Sequence, residues 1–156
     1  MSVKPVTRDE IDAITAWTVV RAAREIARRL GEALAPLQLT PVEFGALSQL
    51  AAADGLSQAD LARAVGIRPQ SVTPLLAGLT NRGLIERRTA PGRGRHSRLG
   101  LTAQGSTLLA EAWPVVVASE EWFGEDRERT RAVATALRPM LDAPASSVSR
   151  QDLGVP

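Results

Sequence analysis

Two short helical patterns that meet at a glycine, followed at once by an arginine-bearing hairpin, constrain this chain more than any other feature. Ser57 and Asp60 mark a helix start, Leu61, Ala62 and Val65 give that helix an apolar side, and Gly66 ends it. Pro69 opens a second helix carrying Val72, Leu75, Leu76 and Leu79, and Asn81-Arg82-Gly83 closes it, with Gly83 able to take the left-handed conformation of a C-cap. The spacing of Ala62, Gly66 and Val72 is the specific element. A small Ala62 lets the second helix cross closely, Gly66 makes the tight turn, and Val72 plugs the angle between the helices. Such a pair can lay its second member, residues 69–81, in a DNA major groove. Leu84 to Thr89 and Ser97 to Leu101 then read as two strands, and Pro91-Gly92-Arg93-Gly94-Arg95-His96 between them as a turn or loop. The expectation is a helix-turn-helix with a wing.

Charge is distributed accordingly. Residues 57–101 hold Arg63, Arg68, Arg82, Arg87, Arg88, Arg93, Arg95 and Arg98 against Asp60 and Glu86 alone, whereas the whole chain carries a net charge of only +2. A basic centre between acidic ends predicts a local polyanion footprint, because phosphate contacts dominate nucleic-acid affinity. A solvated arginine face is the plain alternative, and the helix pair beside it decides between them.

The flanking sequence is helical. Thr7-Arg8-Asp9-Glu10 forms a capping box, and Ile11, Ile14, Val19, Ala23, Ile26, Leu30 and Leu34 recur at helical spacing, predicting one long amphipathic helix to about Ala35 that Pro36 stops. Thr40-Pro41-Val42-Glu43 is a second capping box, with proline where its missing N–H costs nothing, and Phe44, Leu47 and Leu50 form the inner face of the helix it starts. After Thr102, residues Leu108, Leu109, Ala112, Trp113, Val116 and Val117 predict another helix with a kink at Pro114, and Gly124 separates it from a last one over roughly Asp126 to Leu141. The tail, 142–156, rich in Ser, Ala and Pro, reads as disordered. The fold class is therefore mostly α with a small β-hairpin wing, in a single domain spanning 1–156 whose DNA-binding lobe is 40–101.

Four stretches carry a resemblance: Leu-Gln-Leu-Thr-Pro-Val-Glu-Phe-Gly-Ala-Leu (37–47), Leu-Ser-Gln-Ala-Asp-Leu-Ala-Arg-Ala-Val-Gly-Ile (56–67), Asn-Arg-Gly-Leu-Ile-Glu-Arg (81–87) and Leu-Thr-Ala-Gln-Gly (101–105). Each is loose alone, but the ordered set, with the helix order, resembles the MarR family of bacterial regulators over most of residues 8–141. The resemblance implies a homodimer joined by N- and C-terminal helices, here 8–35 and 103–141, presenting two recognition helices and two wings. It also implies repression of transcription and, as in many relatives, control by a small-molecule effector.

Candidate contact residues follow. Gln70, Ser71 and Thr73 stand near the leading end of the recognition helix; Gln can read adenine bidentately and hydroxyls can bond to bases or phosphates, although ordinary helix-start chemistry also explains Gln70 and Ser71. Arg68 is placed to grip phosphate. Pro74 costs the helix one backbone bond, and its ring could meet a thymine methyl. By the resemblance, Arg95 corresponds to the arginine that relatives insert into a minor groove, where negative potential favours it. Relatives brace it with an aspartate two residues earlier; that position is Arg93 here, so the brace is replaced by another positive charge. Arg93 and Arg98 are expected phosphate contacts, with Arg98 equally readable as a solvated strand charge, and His96 either touches backbone phosphate or faces water. Trp17 and Trp113 either line an aromatic effector site or form dimer core, of which core is the preferred reading.

Other function classes find little support. With no cysteine, no tyrosine and one histidine, and with its acids mostly at helix ends, the chain offers little for a nucleophile with its base or for a metal-ligand cluster, so no catalytic residue, metal or cofactor is assigned. The acidic run Glu120, Glu121, Glu125, Asp126 and Glu128 surrounds a helix break and reads as a solvated surface. No apolar run approaches the roughly 20 residues of a membrane span, and Met-Ser-Val-Lys-Pro lacks a signal-peptide core, so a soluble cytoplasmic protein is expected. The surviving alternative is a winged-helix module that binds protein instead of DNA.

Overall fold

The computed structural model describes residues 6–53, 55–89 and 97–142. The chain divides into two compact units, one ending at Ser119 and the other beginning at Glu120.

The first unit starts with α1 (Arg8–Asp12) and α2 (Thr15–Leu34). The capping box is present: Glu10 N–H donates to Thr7 Oγ1 at 3.2 Å, and Thr7 N–H donates to the Glu10 carboxylate at 2.9 Å. The single long helix expected from residue 8 onward is, however, interrupted at Ala13-Ile14. The break is held by side chains: the Thr18 hydroxyl donates to the Asp12 carbonyl at 3.2 Å, and Arg21 donates to the Asp12 carboxylate at 2.9 Å. The interruption thus has its own local partners, which offset the lost helical bonds. At the far end, α2 passes into a 3-10 turn (Ala35–Leu37) containing Pro36, and Gln38 closes it in the left-handed region at φ 54°.

The lobe beyond is built from α3 (Pro41–Ala52), α4 (Gln58–Val65), α5 (Pro69–Asn81), β1 (Ile85–Thr89), β2 (Ser97–Leu101) and α6 (Ala103–Ala118). The second capping box forms as predicted, Glu43 N–H to Thr40 Oγ1 at 3.2 Å and Thr40 N–H to the Glu43 carboxylate at 2.8 Å. β1 and β2 pair antiparallel from Ile85 opposite Leu101 to Thr89 opposite Ser97, and Leu99 N–H donates to the Leu56 carbonyl at 3.0 Å, so the α3–α4 connection ties into the hairpin base. One core unites these elements: Leu34, Leu47, Leu61, Leu79, Leu84 and Leu99 are fully buried, with Ala62, Val72, Leu76 and Leu109 around them.

The start of α6 is locked to the residues that lead from α5 into β1. Thr102 Oγ1 accepts from Gly105 N–H at 3.0 Å and donates to the Gly83 carbonyl at 2.6 Å, while Thr102 N–H reaches the Leu84 carbonyl at 3.2 Å. Gly105 is required here, since a Cβ would lie 2.0 Å from the Leu84 carbonyl oxygen. This accounts for the Leu-Thr-Ala-Gln-Gly stretch.

In the second unit, α7 (Arg127–Asp142) begins at Asp126, whose carboxylate accepts from Glu128 N–H at 3.0 Å and Arg129 N–H at 3.1 Å. Val133, Met140 and Leu141 of this helix are exposed. A 3-10 segment, Ser119–Phe123, which the apolar periodicity did not reveal, precedes it.

Candidate nucleic-acid interface

The helix pair is assembled as its spacing predicts. Ser57 Oγ accepts from Asp60 N–H at 3.1 Å and donates to the Asp60 carboxylate at 2.6 Å, a bond that with nearby Arg63 holds that carboxyl below its ordinary range. Gly66 takes φ 72°, and Ile67 N–H returns to the Ala62 carbonyl at 3.0 Å, closing α4 with a left-handed cap. Ala62 and Val72 are both buried at the crossing.

This crossing decides what α5 shows to solvent. Val72, Leu76 and Leu79 are buried and Leu75 is half-buried. At about 100° per residue the opposite side is a ridge of Gln70, Pro74, Ala77 and Asn81, flanked by Thr73 and Thr80 on one side and Ser71 on the other, all exposed. The predicted contacts Gln70, Ser71, Thr73 and Pro74 therefore lie together on one accessible surface. Ala77, Thr80 and Asn81 share it and were missed, although stepping seven and eleven residues on from Gln70 would have found Ala77 and Asn81. No residue of α5 is charged.

The arginines fall into two sets. Several have protein partners: Arg63 bonds to Asp60 on its own helix, Arg82 Nη1 meets Glu43 Oε1 at 3.1 Å, and Arg88 reaches Glu86 at 2.9 Å and the Leu101 carbonyl at 2.9 Å. With the Gln58 amide oxygen turned toward it, Arg87 Nη2 donates at 2.6 Å, joining α4 to β1. Arg98 donates to the Gly55 carbonyl at 3.3 Å and is an exposed residue. Arg68 belongs to the second set. It stands at the N-cap of α5, exposed and without a side-chain cap bond. Arg93, Arg95 and His96, the predicted contacts at the wing tip, lie outside the described residues, as does the tail beyond 142.

The two tryptophans singled out for an effector have separate surroundings. Trp17 on α2 is 40% exposed with the Arg24 guanidinium 6.0 Å above its ring; Trp113 on α6 is 55% exposed with its ring 6.2 Å from Phe44 of α3. A cavity of about 560 Å³ opens elsewhere, where Leu37 and Gln38 face Arg82, Leu84, Gln104 and Leu108. Among the described residues no group of three or more His, Cys, Asp or Glu side chains could hold a metal ion, and no helix is long and apolar enough to cross a membrane.

A helix pair crossing at a small residue, a recognition helix with an accessible uncharged ridge and a two-stranded wing define a winged helix-turn-helix regulator of transcription, a DNA-binding class. Comparison with known proteins narrows the class. The profile of the MarR family matches residues 37–96. The HTH-type transcriptional repressor Rv2887 of Mycobacterium tuberculosis (strain ATCC 25618 / H37Rv) is 34% identical over 109 residues, which cover 70% of this chain and 78% of the relative. Among solved structures, the transcriptional repressor CouR bound to a 23-mer DNA duplex is similar over 88% of this chain and 99% of its own, at 26% identity and a TM-score of 0.77. Rv2887 of M. tuberculosis in complex with salicylic acid is similar over 83% and 97%, at 30% identity and a TM-score of 0.67. The chain belongs to the MarR family.

Proposed function

We propose that two copies of this chain pair through the segments 8–35 and 103–141 and bind a near-palindromic operator as a repressor. Each α5 enters a major groove, and the pair stands roughly 34–36 Å apart, one turn of B-DNA. Gln70, Ser71, Thr73 and Pro74 face base edges, Arg68, Arg93 and Arg98 grip phosphates, His96 lies beside the backbone, and Arg95 enters the flanking minor groove. The observation that carries this reading is the exposed ridge of α5, set opposite its buried side and led by the solvent-facing Arg68. The DNA-bound state of CouR, whose fold is similar, supports it.

Pairing is supported by apolar side chains that the single chain leaves in water: Ile14 at the break before α2, Trp17 and Val20 on α2, and Trp113 and Val117 on α6. A small aromatic effector releases the operator, and Trp113, where α6 meets α3, is the side chain to test for it as the alternative to a pairing role. The effector acts by binding better to an arrangement of the two lobes that cannot match successive grooves, since only a difference in affinity shifts such an equilibrium. The salicylic acid complex of Rv2887 supports an aromatic acid as the class to test.

The test is duplex binding with Arg95→Ala. Operator affinity should fall by an order of magnitude or more while the dimer persists, and raising salt from about 50 to 200 mM should weaken the parent protein by about 10³-fold or more if six or more phosphates are engaged. Unchanged affinity for Arg95→Ala removes the wing from the interface. Binding that ignores salt favours a protein-interaction module instead.

A further inference from the structure

The ridge of α5 runs Gln70, Pro74, Ala77, Asn81, with the Thr73 and Thr80 side chains along one edge. Two amide side chains stand at its ends, and a pyrrolidine ring and a methyl group occupy its centre. The helix carries no lysine, arginine, aspartate or glutamate over its thirteen residues.

Base edges differ in what they ask of such a surface. Guanine presents two acceptors to the major groove, met best by arginine or lysine; cytosine presents an amino donor, met by a carboxylate; thymine presents a C5-methyl group, met by apolar contact. The ridge lacks the first two partners and offers the third. Gln70 to Ala77 spans about 10 Å along the helix, or about three base steps. The charged residues nearest in sequence, Arg68 and Arg82, cap the two ends of the helix, and Arg82 is engaged with Glu43.

We propose that Pro74 and Ala77, with the Thr73 methyl beside them, read thymine C5-methyl groups at the centre of each half-site, so that specificity there is apolar and arginine-free. Pro74 was a candidate from the sequence; Ala77 joins it as a specificity-determining residue, and both act on consecutive or near-consecutive thymines. This rests on the reading that α5 enters a major groove. Sequence choice in the half-site centre is then nearly independent of salt, while the flanking arginines carry the salt dependence.

The experiment replaces thymine by deoxyuridine, which removes only the methyl group, one position at a time in a duplex selected by the full-length protein from a random pool. Each central thymine read by the ridge should lose about three- to five-fold in affinity on losing its methyl, the effect of one buried CH2-sized group. In the double variant Pro74→Ser, Ala77→Gly the same substitution should cost clearly less than in the parent protein, about two-fold or below, because the ring and the methyl that met the thymine are gone and the Thr73 methyl alone remains. Equal affinity of the parent protein for thymine and deoxyuridine at every half-site position, with Arg95→Ala still weakening binding, overturns this inference and leaves the proposed function standing. Failure to retain any duplex at low salt overturns both. A selected half-site centred on guanines, with no thymine dependence, also overturns the inference, and it would move base reading to Gln70, Asn81 or Arg68.

Discussion

The winged lobe and the helical arm before it use apolar residues in opposite ways. In the lobe, Leu47, Leu61, Leu79, Leu84 and Leu99 are fully buried by the chain's own elements. Along α2 burial fades with distance from that core: Leu34 is fully buried, Leu30, Ile26 and Val19 are half-buried, and Ile14, at the break before the helix, is 54% exposed. Its other side is laced with ion pairs, Arg28 to Glu25 and Glu32, and Arg29 to Glu25. The lobe is therefore complete in one chain, whereas the N-terminal half of α2 has an apolar face that needs a covering. The difference separates residues that fix the fold from residues available for assembly.

Gly105→Ala should break the comparison most severely, because it attacks the lobe at a point that cannot yield. The added methyl would fall on the Leu84 carbonyl. Destabilisation of about 3 kcal/mol or more is expected in denaturant unfolding, at or beyond the upper end of ordinary overpacking; a loss below about 1 kcal/mol would show that α6 can shift away from Leu84. Ile14→Asp should act on the other side. The lobe should keep its stability to within about 0.5 kcal/mol, as for a surface change, while sedimentation shows loss of pairing. Retained dimer would place the interface elsewhere.

The smallest effect is electrostatic. Arg28, and then Arg29, hold the Glu25 carboxyl down at about 2, against an ordinary value of 4.5. A carboxyl depressed on folding contributes fully above its unfolded value, and that contribution is lost as pH falls from about 4.5 towards 2. Being fully exposed, the group is screened, so the effect is slight and salt-sensitive. The difference in melting temperature between the parent and Glu25→Gln should shrink over that pH window, and a difference unchanged down to pH 2 would show that the pairs contribute nothing.

Much of the lobe was legible because local chemistry and burial agree there. Thr40-Pro41-Val42-Glu43 caps α3, Gly66 and Gly83 take the positive φ values their turns require, and the spacing of Ala62 and Val72 survives as a buried crossing. The break at Ala13-Ile14 was hidden, since the apolar period continues through it and the bonds that hold it, Thr18 and Arg21 on Asp12, span six and nine residues, longer than any helical spacing. The left-handed Gln38 was hidden for a similar reason, because glutamine carries no turn signal. Within the interface, residue type drew attention to Gln70 and Ser71, and Ala77 escaped because alanine advertises no chemistry until the opposite face is known to be buried. The arginines showed the reverse problem. Eight of them in one segment suggested one role, yet Arg82 pairs with Glu43 of α3, Arg88 reaches the Leu101 carbonyl across the hairpin, and Arg63 bonds to Asp60 on its own helix.

The junction at Thr102 also bears on how a signal would travel. β2 ends at Leu101 and α6 starts at Ala103, so one residue separates wing from helix, and that residue is bonded to Gly83 and Leu84 at the foot of α5. There is no slack to take up a twist. Turning the first part of α6 therefore drags the wing strand and the trailing end of the reading helix along with it, as a key turns the bolt it is cut from.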